Sequence, residues 1–140
     1  MNAPKTIALL VIVGIGMVAC GEQQVSFKNQ INPILQENCS VCHKPGAPGF
    51  VQSGFSVASY ADVMKGTKNG QVIEPGSSVG STLVRLIRHQ ADKSINMPKN
   101  YSQELAIHNK IILPENGARL LPAAEIELIA RWVDQGAKNN

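Results

Sequence analysis

Five consecutive residues carry the most specific chemistry in this chain: Cys39, Ser40, Val41, Cys42 and His43. A C-x-x-C-H run reads as a covalent haem attachment site. Each thiol can form a thioether with a haem vinyl group, and the two residues between them set the reach. His43 follows directly, where a helical turn would aim its imidazole at the iron. A zinc site would need about four nitrogen or sulfur ligands. No second C-x-x-C exists, and His89 and His108 lack the close histidine spacing of such sites. A thioredoxin-like motif wants a strand before it, whereas a helical pattern precedes this one. A disulfide between Cys39 and Cys42 is the plainest alternative, and it leaves His43 without a role.

A second axial ligand is sought among the methionines and histidines. Met97-Pro98 lies in the polar stretch 92–100, where core packing does not explain a methionine. Pro98 keeps Met97 out of a helix interior and favours extended backbone. A soft thioether on a constrained loop suits a second iron ligand, and Met97 is read as that ligand. A gap-filling methionine is the ordinary alternative. Met64 falls in an expected helix. His89 sits where a cation suits a helix C-terminus. His108, in the helical-looking stretch 102–113, is the rival to Met97.

The chain has 140 residues, enough for one small domain, and its aromatic residues are few: one Trp, two Tyr and three Phe. A haem would enlarge so modest a core. Net charge is +3 with no long basic run, which argues against nucleic acid as the main partner. Residues 1–19 read as an export signal: Lys5 is followed by thirteen apolar or glycine residues, Ile7 to Ala19. That is shorter than the ~20 residues of a spanning helix. Met17-Val18-Ala19-Cys20 resembles a bacterial lipoprotein processing box, which implies cleavage before Cys20 and a lipid on it. An ordinary secretory signal with a spare thiol is the alternative. The three cysteines are then all assigned, one to lipid and two to haem. Without residues 1–19 the net charge falls to +2, because Lys5 is the one charged side chain removed.

The elements that must position these groups read as helices. Residues 20–26 look like a polar tether. Phe27, Ile31, Ile34 and Leu35 stand at helical offsets. Pro33 makes a regular helix through them improbable, so the expectation is an irregular approach followed by a helix to about Cys39 with Pro33 in its first turn. Lys44-Pro45-Gly46-Ala47-Pro48-Gly49 reads as a loop. A short helix is expected from Ser59 to Met64, with Ser59 as N-cap and Gly66 beyond its end. Another is capped by Ser78 or Ser81 and carries Leu83, Val84, Leu86 and Ile87 to about His89. Asn116-Gly117 reads as a turn. Pro122 opens the last helix, whose broad face of Ile126, Leu128, Ile129, Ala130, Trp132 and Val133 runs up to Gly136, with Trp132 as core anchor.

Several features together resemble the cytochrome c domain of bacterial monohaem c-type cytochromes, of the class I-like kind. They are Ile-x-Pro-Ile-Leu before the pentad, Pro-Gly and then a Ser-x-Leu helix, the Met-Pro, and a closing Ile-x-x-Trp-Val-x-x-Gly-Ala helix. The resemblance covers about residues 27–137. It implies an all-α fold wrapped around one haem c, with Cys39 and Cys42 holding the haem, His43 proximal and Met97 distal. In related haem proteins a proline carbonyl takes the second ring nitrogen of the histidine, which points to Pro45 or Pro48. The stretch 98–121 is longer than the usual link. The domain is expected to occupy residues 27–140. The expected function is electron transfer on the periplasmic side of a bacterial membrane, lipid-anchored through Cys20, between redox protein partners. Lys44, Lys93 and Lys99 are expected to form a mildly basic rim. Two other readings are open: a haem enzyme or gas sensor with a labile distal site, and a relay subunit of a larger oxidoreductase complex.

Overall fold

A proline two residues into a helix cannot donate a backbone hydrogen bond, and the chain before Pro33 accommodates it with a wider turn. In the computed structural model, which describes residues 22–99 and 120–140, Phe27–Ile31 form a single π-helical turn. Both Gln30 and Ile31 donate to the Ser26 carbonyl, at 3.0 and 3.2 Å. The Ser26 hydroxyl accepts from the Asn29 N–H. This turn runs into α1, Asn32–Cys39, with Pro33 in its first turn. The remaining described helices are α2 (Pro48–Ser53), α3 (Tyr60–Lys65), α4 (Thr82–Ile87) and α5 (Ala123–Asp134). Among the described residues there is no strand, only an isolated bridge between Thr67 and Gly70. The architecture is helical, and none of the described helices is long and apolar enough to cross a membrane.

The sequence marks Lys44–Gly49 as a loop, yet Pro48 and Gly49 open α2. Proline is suited to a helix start, where its missing N–H is not needed, and the following Phe50-Val51-Gln52-Ser53 continues the turn. The helix ends at Gly54, whose φ of 76° is the left-handed conformation glycine adopts freely. Ser59 caps α3 as its position predicts, accepting from Asp62 N–H at 3.1 Å. Ser81 stands at the N-cap position of α4 but does not cap it with its side chain. Its buried hydroxyl instead accepts from Glu74 N–H at 2.8 Å and donates to Ser77 O at 2.8 Å, closing the 74–81 turn on itself.

α5 is the central element. Trp132, Val133, Ile129 and Ala130 are buried on it and pack with Ile31, Leu35, Val57, Val63 and Val84. The Trp132 ring lies 5.4 Å from Phe27, and Tyr60 lies edge-on to Phe27 at 5.1 Å. Such aromatic pairs add about 0.5–1.5 kcal/mol each beyond burial. The Trp132 indole N–H donates to Lys138 O at 2.9 Å. Two further ties fix α5. Asp134 takes both the N–H and the hydroxyl of buried Ser78, at 2.7 and 2.9 Å. Arg88 on the end of α4 pairs with Glu127 at 2.8 Å. The pair is exposed, so it contributes about 0–1 kcal/mol.

After α5 the chain reverses through Gly136 and Ala137, which have φ of 96° and 49°. Asn140 then reaches the π turn: its carbonyl accepts from Lys28 N–H and the Ser26 hydroxyl, and its side chain accepts from Phe27 N–H. Residues 23–26, read as tether, also touch this corner. Val25 is buried, and its N–H donates to the Gln135 side chain at 2.7 Å. Residues 1–19, Cys20, His108, the 102–113 stretch and the Asn116-Gly117 turn lie outside the described residues.

Candidate haem site

α1 delivers the pentad as a continuation of its own turn. Cys42 N–H and His43 N–H both donate to the Cys39 carbonyl, at 3.1 and 2.8 Å. That hydrogen bonding coils Cys39 to His43 into one helical turn, so both thiols and the imidazole belong to a single local unit. Cys39 and Cys42 are free, half-buried thiols rather than a disulfide. Burial, with the charges of Cys42 and Glu125 adding to it, pushes the Cys39 thiol up to about 12. Burial also raises Cys42.

The imidazole of His43 is oriented from the far side of the loop. Its Nδ1 lies 3.3 Å from the carbonyl oxygen of Phe55. A carbonyl can only accept, so Nδ1 carries the proton and Nε2 presents a lone pair. The Phe55 ring adds an edge contact to the imidazole at 5.3 Å. Burial lowers the His43 pKa, and the Phe55 carbonyl opposes that shift. Burial is the larger of the two, and it favours the neutral imidazole, the form that ligates metal. The expected acceptor, the carbonyl of Pro45 or Pro48, does not fill this role. The chain turns at once after His43, with Ala47 N–H on Lys44 O, and α2 carries it round to return Phe55 beside the ring. Val57 N–H on His43 O at 2.8 Å locks that return, and the Gln36 side chain from α1 donates to Val57 O.

Gly49 makes the close approach of α2 possible. A Cβ there would lie 2.7 Å from Cys42 O and 2.9 Å from His43 Cε1, and Cys42 O is already held by Phe50 N–H at 2.9 Å. Sequence reasoning missed both Gly49 and Phe55, because one acts by lacking a side chain and the other through its backbone. The Pro-Gly pair at the helix start was the available signal for the first.

Met97 is half-buried on the loop after α4. Its N–H donates to Leu86 O at 3.1 Å, and its carbonyl lies 3.1 Å from Nε2 of His89. Buried Asn96 brackets Ala91, accepting from its N–H at 3.1 Å and donating to its carbonyl at 3.2 Å. Met64 is part of the core rim. Lys44 and Lys93 are exposed, and Lys99, half-buried, donates to Ser94 O.

The donor set fits haem c: two unpaired thiols one helical turn apart and an imidazole with a fixed tautomer. It does not fit a classical zinc site, because among the described residues no group of three or more His, Cys, Asp or Glu could hold a metal ion.

Comparison with known proteins agrees with this chemistry. The family described as "Planctomycete cytochrome C" matches residues 39–100, from the first cysteine of the pentad to just beyond Met97. The match supports a cytochrome c-type domain, and such a domain implies haem-based electron transfer. Hydrazine synthase subunit alpha of Kuenenia stuttgartiensis is 22% identical over 142 residues, which cover 88% of this chain. The chain spans only 16% of that subunit. No solved structure matches.

Proposed function

We propose that this chain is a periplasmic electron carrier, lipid-anchored through Cys20, that binds one haem c covalently through Cys39 and Cys42 and ligates its iron with His43 and Met97. The observation that carries the reading is the pentad, coiled into one turn with His43 Nδ1 committed to Phe55 O. When bound, the haem supplies a one-electron iron couple. The protein's own residues do the rest. The thiols fix the group in place. Phe55 O holds the imidazole in the tautomer that offers Nε2. Gly49 lets α2 close over the pentad, and the α4 turn holds the Met97 backbone. With a thioether and an imidazole supplied by the chain, the iron would be closed to exogenous ligands, and its reduced state would be favoured relative to ligation by two imidazoles.

The test is optical. Protein secreted by a host that matures c-type haem is expected to show a six-coordinate low-spin spectrum with the weak far-red band of methionine–iron ligation, and no response to CO. Met97→Ala is expected to abolish the band and admit CO. A low-spin spectrum without the band would move the distal role to His108 or His89. High-spin iron that takes up CO would favour the enzyme or sensor reading.

The similarity to a hydrazine synthase subunit favours a second reading, in which the same haem relays electrons inside a larger oxidoreductase assembly. Stable co-purification with a larger partner from native membranes supports it. Isolation as a free carrier counts against it.

A further inference from the structure

We propose that His89 is a positioning residue for Met97, an assignment that rests on the reading of Met97 as an iron ligand. His89 follows Arg88, the C-cap of α4, and has a φ of 55°. This left-handed position is the usual place for glycine or asparagine, because other side chains are strained there. The histidine ring, however, reaches across the loop: its Nε2 lies 3.1 Å from Met97 O. The carbonyl accepts, so the ring nitrogen donates.

Met97 is thereby held at both of its backbone polar groups, one by the last turn of α4 and one by the residue just beyond its cap. Its N–H is taken by Leu86 O, a backbone contact that any residue at position 86 would make. Its carbonyl is taken by the His89 side chain, a contact that only a long-reaching donor can make. The intervening chain is folded tightly enough to hold this geometry. Ile95 and Asn96 N–H both donate to Asp92 O, at 3.0 and 3.1 Å, and Asp92 Oδ1 accepts from Ser94 N–H at 2.8 Å. His89 sets the position of the methionine segment from eight residues away, and its Nε2 is engaged in doing so.

The experiment compares imidazole binding to the ferric haem protein in wild type, His89→Gly and His89→Gln, each alone and with Met97→Ala. Glycine keeps the left-handed backbone and removes only the ring. Glutamine restores an N–H donor of similar reach. The expected result is that His89→Gly keeps the far-red band but binds imidazole about fivefold more tightly, the effect of one lost hydrogen bond on the competing methionine. His89→Gln is expected to recover most of that difference. In the Met97→Ala background the glycine substitution is expected to change nothing, because no methionine then competes. If His89→Gly does not load haem, His89→Asn, which tolerates the left-handed backbone and is shorter than histidine, replaces it with the same expected result.

A far-red band in the wild type together with unchanged imidazole affinity in His89→Gly overturns the proposal and leaves the ligation reading intact. An equal gain in affinity with and without Met97 also overturns it, since that is general loosening. A wild type lacking the band removes the ligation reading and this proposal with it.

Discussion

Substituting Gly49 with alanine sets two effects of opposite sign against each other. Gly49 is the second residue of α2. In a helix, alanine is favoured over glycine by up to ~1 kcal/mol, less near an end. Against this, the new Cβ would meet Cys42 O at 2.7 Å and His43 Cε1 at 2.9 Å. Ordinary carbon contacts lie near 3.5 Å, so something must move by about half an ångström or more. Cys42 O cannot easily yield, because Phe50 N–H holds it at 2.9 Å and its peptide lies inside the pentad turn. The imidazole is the softer neighbour, and moving it lengthens the Nδ1 contact to Phe55 O. Overpacking of this kind costs about 1–3 kcal/mol, so the net expectation is a loss of about 1–2 kcal/mol, with His43 displaced. The assay is denaturant unfolding of the haem protein, with its absorption spectrum and reduction potential recorded alongside. Gly46→Ala is the companion variant: its φ of 83° costs strain, but nothing lies within 4 Å of the new Cβ. It should lose about 1 kcal/mol with no spectral change. A Gly49→Ala protein at least as stable as wild type, with an unaltered spectrum, would refute the argument that α2 bears directly on the pentad.

Four other outcomes are expected. Asp134→Ala strands the N–H and hydroxyl of buried Ser78 and should cost about 2–4 kcal/mol in denaturant unfolding. Trp132→Phe loses the indole donor to Lys138 O and some core volume, for about 1–3 kcal/mol by the same measurement. In haem-free protein, alkylation at pH 8 followed by peptide mass mapping should label Cys42 before Cys39, since a thiol near 12 is ionised in about one molecule in ten thousand. The sign for stability follows: Cys39 is raised in the fold, so its contribution is present below its ordinary range and is lost as pH rises above it. Electron-transfer rates with an acidic partner should fall with ionic strength and fall further in Lys44→Ala and Lys93→Ala, and rates indifferent to salt would remove the steering role of the basic rim.

The helices were legible in the sequence where local signals agree with packing. Pro33, Ser59 and Pro122 each stand at the helix start they mark, and the face of α5 buries Ile129, Ala130, Trp132 and Val133 and half-buries Ile126 and Leu128. Legibility failed where a local rule met a tertiary demand. Two prolines and two glycines argue for a loop after His43, but Pro48 is compatible with a helix start and Gly49 with a close approach, so α2 forms there. The chemistry of the pentad was readable because it resides in side-chain types at fixed spacing. The acceptor for His43 was not, because Phe55 acts through a carbonyl that every residue carries, and its position depends on how residues 44–54 route the chain. Ser81 shows the same limit: the position is right and the partner differs, because its hydroxyl is consumed by the 74–81 turn.

The contact of Asn140 with Ser26, Phe27 and Lys28 means that the chain enters and leaves the packed body at one corner. A body closed in this way behaves as a plug-in unit. Joining residue 26 to residue 140 through a short linker and opening a break elsewhere should cost its interior little. The Lys68-Asn69-Gly70 turn is exposed, and a break there would give up the Lys68 N–H bond to Ser53 O and the Thr67–Gly70 pair. A version permuted there should keep the aromatic cluster and the pentad turn intact.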